Sequence, residues 1–142
     1  MELRIDSDYF ISDEKSLLDL KVIHDFLTNS YWSKGIPVEL VKKAIDNSFC
    51  AGVYFKNTQI GFARVVTDFT LTALLGDVFI LENHRGKGLS KQMMNFLIGH
   101  PKLKSIRTWR LATNDAHGLY SQFGFHVIEN PENFMERKIK VG

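Results

Sequence analysis

The stretch Gly76–Gly99, GDVFILENHRGKGLSKQMMNFLIG, decides how the rest of the chain is read. It opens with the apolar run Val78-Phe79-Ile80-Leu81, turns through Glu82-Asn83-His84, enters Arg85-Gly86-Lys87-Gly88 and continues as a patterned helix. Leu89, Met93, Phe96 and Leu97 recur at helical spacing and give one apolar face, with Ser90, Lys91, Gln92 and Asn95 on the other. Gly99 and Pro101 end the helix. The segment is therefore strand, glycine turn, helix.

That geometry suits an anion. The first turn of a helix presents backbone N–H groups without helical partners, and the peptide dipoles add partial positive charge there. Gly86 and Gly88 lack a Cβ, so a phosphate can approach the backbone closely, and Arg85 and Lys87 add formal charge. The spacing is not that of a P-loop, because Leu81 stands where its first glycine belongs. It is a poor dinucleotide fingerprint, because Lys91 takes the place of the third glycine. A pyrophosphate cradle and a plain strand-to-helix turn with glycines for tight packing both remain open from this stretch alone.

Working outward, 142 residues suffice for one domain with a substantial core. Apolar content of 44% and charged content of 24% are those of an ordinary soluble globule. A net charge of +2, with basic residues scattered, points away from nucleic acid and from a membrane surface. The N-terminal MELRIDSDYF lacks a signal region, and no run reaches the roughly 18 apolar residues of a membrane helix. The single Cys50 reads as a small buried side chain and fits a reducing, cytoplasmic setting. No Cys/His cluster has metal-ligand spacing, so no metal is expected.

In chain order, residues 2–11 read as a first strand and Leu17–Thr28 as a helix with Leu20, Ile23 and Leu27 on one face. Ser12-Asp13-Glu14 reads as a turn or helix cap, and His24 as a packed or solvated side chain. The loop 29–36 carries the adjacent aromatics Tyr31 and Trp32, and Pro37 opens a second helix with Val38, Val41, Ala44 and Ile45. Phe49–Lys56 and Gln59–Asp68 alternate as strands of a hairpin. Thr70–Leu81 is apolar nearly throughout and should be central, with Gly76 hinting at a bulge. Lys104–Ala112 completes a βαβ unit, which predicts a parallel pair with a right-handed crossover. A short helix over 116–123, capped by Asn114 or Asp115 and ended by Gly124, precedes two last strands at 125–129 and 134–139. No repeat or linker is visible, so residues 1–142 read as one domain.

Two motifs resemble the GNAT superfamily of N-acetyltransferases. The first is Val78–Leu81 followed by Arg85-Gly86-Lys87-Gly88, similar to that family's acetyl-CoA signature, Gln/Arg-x-x-Gly-x-Gly/Ala. Aligned on Gly86 and Gly88, its first position is Asn83; aligned on Arg85 and Gly88, its last is Ser90; each departs from the pattern. The second is Asn114 to Phe125, an asparagine, a short helix and Tyr120-x-x-x-Gly124-Phe125. The element order βααβββαβαββ matches as well. The resemblance implies an α/β (α+β) fold with a mixed central sheet of about six to seven strands flanked by about four helices. Its fourth and fifth strands are a parallel pair, splayed at the cofactor site.

The resemblance also implies an acyl-CoA-dependent enzyme that moves an acetyl group from acetyl-CoA to a primary amine of a small molecule or protein. A catalytically silent CoA-binding module is the alternative. The cofactor-binding residues it implies are Val78, Phe79, Ile80, Arg85, Gly86, Lys87, Gly88, Leu89, Ser90, Asn114, His117 and Tyr120. Tyr31 and Trp32 are implied at the acceptor, with Asp68, Phe69 and Phe134 among the residues that select it. The chemistry needs a donor for the developing oxyanion, a base for an amine that is mostly protonated at neutral pH, and an acid for the departing thiolate. Tyr120 is the candidate acid, a backbone N–H in 78–81 the candidate oxyanion donor, and Asp77 or Glu82 the candidate base. Pairing into a homodimer is a further implication of the resemblance.

Overall fold

The computed structural model describes residues 1–139. The chain forms a larger unit, Met1–Ala112, and a smaller one, Thr113–Gly142. The larger unit is built on six strands, β1 (Glu2–Arg4), β2 (Tyr9–Ser12), β3 (Phe49–Phe55), β4 (Thr58–Thr67), β5 (Thr72–Ile80) and β6 (Thr108–Leu111), lying side by side in chain order. Neighbours are antiparallel except β5 and β6, which are parallel, as the βαβ reading requires. The helices are α1 (Leu20–Thr28), α2 (Val38–Asp46) and α3 (Leu89–Gly99), with α4 (His117–Ser121) in the smaller unit.

The pleat sorts the sheet into two buried faces. Cys50, Phe62 and Phe79 pack against Ile23, Leu27, Val41 and Ile45, so α1 and α2 cover one face. Ala51, Val53, Ala63 and Val65 point to the other face and are wholly buried. There α3, which contacts β3 and β5, supplies Met93, Met94, Phe96 and Leu97 to the core. Met94 broadens the apolar stripe read from the sequence.

Several boundaries differ from the sequence reading. The first strand is two, because Asp6 Oδ1 accepts the N–H groups of Asp8 and Tyr9 and closes a turn between them. Helix α1 starts at Leu20, because Asp19 caps it by accepting from Lys21 and Val22 N–H. The strand after α3 is short, since the chain turns back on His100 through Leu103 and Lys104, burying Leu103 and Ile106 before β6 begins. The strands expected at 125–129 and 134–139 do not form: Asn130 takes a left-handed φ of 53°, a 3-10 turn follows at Pro131–Asn133, and Val127, Met135 and Ile139 lie 78, 97 and 80% exposed. The expected Asn114 or Asp115 cap does not form: Ala116 is the N-cap of α4 without a side-chain cap hydrogen bond, and Thr113 Oγ1 accepts the N–H of Ala116 just before the helix.

Candidate active site

The expected glycine turn forms between β5 and α3. After β5 a 3-10 turn at Glu82–His84 leads to Gly86 and Gly88, both left-handed at φ 78° and 74°. Gly88 caps α3 without any side-chain hydrogen bond. Among the described residues nothing accepts from the backbone N–H groups of 86–91, at the start of α3. A Cβ built on Gly86 or Gly88 meets nothing within 4 Å, so the space beside the loop is open to a ligand. Lys87 is exposed, while Leu89 is buried in the core and offers only its backbone.

Two side chains fix this loop to the sheet. Arg85 Nε donates to the Ile80 carbonyl at 2.8 Å, which ties the turn to the end of β5. His84 Nδ1 lies 2.7 Å from the Tyr9 hydroxyl of β2, and its ring packs against both Tyr9 and Phe55, which also touch each other. The sequence reading missed His84 and Tyr9; the pair lies 75 positions apart and no local pattern signals it.

The parallel partner leaves β5 early. Pairing with β6 ends at Leu75–Leu111, so Gly76–Ile80 keep β4 on one side and, among the described residues, an edge without a strand partner on the other. At that point β5 bulges: Phe62 and Arg64 face Phe79 and Gly76, leaving two β5 residues opposite one on β4. Asp77 sits in the bulge with a left-handed φ of 54°. Leu81 N–H donates to the Ile60 carbonyl, so it is not a free donor. Strand alternation then turns the N–H and C=O of Ile80 to the open edge, where the carbonyl takes Arg85 and the N–H remains.

A cleft of about 570 Å³ opens between α1, the α1–α2 loop and Leu81. Its walls include Val22, Asp25, Phe26, Tyr31, Trp32 and Leu81, and the Asp25 carboxylate is ion-paired with Lys21 Nζ at 2.6 Å. Phe26 stacks on Phe79 at 4.1 Å, and Trp32 stands edge-on to Tyr31 at 5.0 Å. His24, read as packed or solvated, is a packing residue: its Nε2 donates to the Ile36 carbonyl and closes the loop. Trp32 Nε1 donates to Asp77 Oδ1 at 3.0 Å, so a residue implied at the acceptor and a candidate base meet directly. Arg64 Nε holds the other Asp77 oxygen at 2.7 Å. Glu82 is exposed next to Leu81, and its carboxylate makes no hydrogen bond or ion pair among the described residues.

In the smaller unit Tyr120 is 7% exposed and meets Phe125 edge-on at 5.9 Å. Burial, and then the charge of Asp115, push its phenol above the ordinary value. Asn114 and His117 are exposed. Among the described residues no group of three His, Cys, Asp or Glu gathers where it would hold a metal, and no helix is long and apolar enough to cross a membrane.

The family described as Acetyltransferase (GNAT) domain matches residues 46–127. A solved candidate acetyltransferase of the GNAT family from Xanthomonas campestris pv. campestris has a TM-score of 0.89 and 45% identity, covering 92% of this chain and 93% of that one. The uncharacterized N-acetyltransferase ycf52 of Porphyra purpurea is 30% identical over 131 residues, 88% of this chain and 73% of the relative. A GNAT family acetyltransferase from Elizabethkingia anophelis, solved with acetyl-CoA bound, shares the fold at a TM-score of 0.66 and 17% identity, covering 87% of this chain and 80% of that one. The chain belongs to the GNAT acetyltransferase family.

Proposed function

We propose that residues 1–142 work as one domain that transfers the acetyl group of acetyl-CoA directly to a primary amine carried on a small, partly apolar body. The observation that carries this reading is the coincidence of an open β5 edge with unpartnered N–H groups at the start of α3. An extended amide-bearing chain ending in a pyrophosphate matches both. The N–H groups of 86–91 and Lys87 hold the pyrophosphate. Residues 76–80 pair with the pantetheine arm, and Asn114 holds the donor by its amide. Acetyl-CoA supplies the thioester whose acyl group is transferred. The Ile80 N–H donates to the carbonyl oxygen as it gains charge. Glu82, which follows Leu81 of the cleft wall and has a carboxylate unpartnered among the described residues, takes the ammonium proton through water; Tyr120 gives a proton to the departing thiolate and is reprotonated by the second proton that the acylated nitrogen loses.

The cleft supports the choice of acceptor. Its volume is that of a small-molecule site, and its walls are largely apolar and aromatic. Tyr31 and Trp32 suit an ammonium carried on an alkyl or aryl group. The buried free thiol of Cys50 suits a reducing cytoplasm. Analytical ultracentrifugation tests the pairing of two copies that small chains of this family often show.

The test is a thiol-release assay with acetyl-CoA against arylalkylamines, linear alkylamines and lysine-containing peptides. Arylalkylamines and alkylamines should turn over with KM values between about 1 μM and 1 mM, and peptides should not. Peptide turnover alone would overturn the acceptor class. Absence of acetyl-CoA binding by titration calorimetry would overturn the donor assignment.

A further inference from the structure

We infer that Asp77 is a positioning residue that latches Trp32 into the wall of the acceptor cleft, and that it is not the proton acceptor of the reaction. The inference rests on the cleft being the acceptor site. Both carboxylate oxygens already have a donor, Oδ1 from Trp32 and Oδ2 from Arg64. The side chain is only 12% exposed. A base must present an oxygen to the amine or to water; Glu82 is exposed with a carboxylate unpartnered among the described residues, whereas each Asp77 oxygen is already held and the side chain is largely buried.

The latch is one link in a chain of hydrogen bonds. Ala44, near the end of α2, accepts from Ser48 Oγ at 2.7 Å, and Ser48 Oγ accepts from Arg64 Nη1 at 3.1 Å. Arg64 holds Asp77 and Asp77 holds Trp32, so the path runs from α2 through β4 and the β5 bulge to the α1–α2 loop. Trp32 needs such a restraint. It belongs to no helix or strand, 42% of it is exposed, and its ring contacts are a tilted Phe26 and an edge-on Tyr31. Among the described residues its indole N–H makes the one hydrogen bond that orients the ring. The bulge supplies the acceptor, and a left-handed φ of 54° at a non-glycine residue is a strained conformation kept where the carboxylate is needed. The bulge that opens the β5 edge thus also sets the acceptor wall, so donor and acceptor sites share one irregularity of the sheet.

The test compares Asp77→Asn, Trp32→Phe and the double variant. Asparagine tolerates the left-handed conformation but offers one acceptor oxygen, so it serves Arg64 or Trp32 and not both. Phenylalanine keeps an aromatic wall and removes the donor. Each single variant should raise the amine KM about tenfold, the scale of one hydrogen bond to a charged group, with kcat and acetyl-CoA affinity within about threefold of the parent. The double variant should be no worse than either single variant, because both remove the same contact. The acid limb of the pH profile should be unchanged in Asp77→Asn. A fall in kcat of about a hundredfold or more in Asp77→Asn, or loss of that limb, with Trp32→Phe near normal, would make Asp77 the base and overturn the latch. An independent reading needs no turnover: in isotope-labelled protein the Trp32 indole N–H resonance, assigned by its loss in Trp32→Phe, should shift and exchange faster with solvent in Asp77→Asn. An unmoved resonance overturns the latch, whereas a moved one without amine turnover leaves the latch standing and rejects the acceptor reading.

Discussion

Tyr120 shows what one residue's surroundings do to its chemistry. Burial raises its phenol above the ordinary value, and Asp115 adds to the effect. The proton therefore stays on across the neutral range, which is the state an acid must start from. Tyr120→Phe should lower kcat at least about tenfold while leaving acetyl-CoA affinity unchanged, as measured by steady-state kinetics and titration calorimetry. In the parent enzyme the rate should show no loss from deprotonation of this acid below about pH 10, the reference tyrosine value. Arg64 is the complementary lesson. It falls in the inward phase of a strand, after Ile60 and Phe62, and a charge at such a position must find a partner. The sequence carried that signal, yet naming Asp77 as the partner requires the bulge, which shifts β5 against β4.

At the scale of elements, the β5–turn–α3 unit was legible because apolar periodicity and two glycines leave one local solution. The glycines sit at left-handed φ, and no protein atom crowds them. Changing Gly86 and Gly88 together to valine should abolish acetyl-CoA binding by calorimetry. The folding cost should be only about 2–4 kcal/mol, from backbone strain alone, read by urea unfolding. A stable variant that still binds would remove the cradle. The C-terminal strands misled for the opposite reason. Phe125–Glu129 and Phe134–Ile139 have strand-like composition, but the left-handed Asn130 and the turn at Pro131–Asn133 separate two mostly exposed segments that gain little burial. Strand propensity describes a fit to a half-buried surface and weakens where no such surface is offered.

At the scale of the molecule, buried ionisable groups give stability a direction with pH. Burial pushes the Cys50 thiol up to about 11, and burial also raises Tyr54, whose hydroxyl has no hydrogen-bond partner among the described residues. The unfolded chain releases these protons earlier, near about 8.5 for a thiol and 10 for a phenol. Above those values the unfolded state binds fewer protons than the folded one, so stability falls as pH rises. The contribution is fully present below about pH 8 and is lost progressively up to about pH 11 for the thiol. Urea midpoints should therefore decline from about pH 9 upward, and Cys50→Ala should flatten the first part of that decline. A midpoint independent of pH up to about 11 would contradict the burial of both groups.

The sequence by itself determined the period of each long element, the parallel βαβ unit, the glycine turn before α3 and the family, because these depend on residues close together in the chain. Only the tertiary structure decided where β6 leaves β5, that Asp77 lies between Arg64 and Trp32, and that His84 leans on Tyr9. Those facts join residues 13 to 75 positions apart. Contacts of that kind exist only once the sheet is assembled, since it is sheet register, and not local propensity, that brings their side chains within reach.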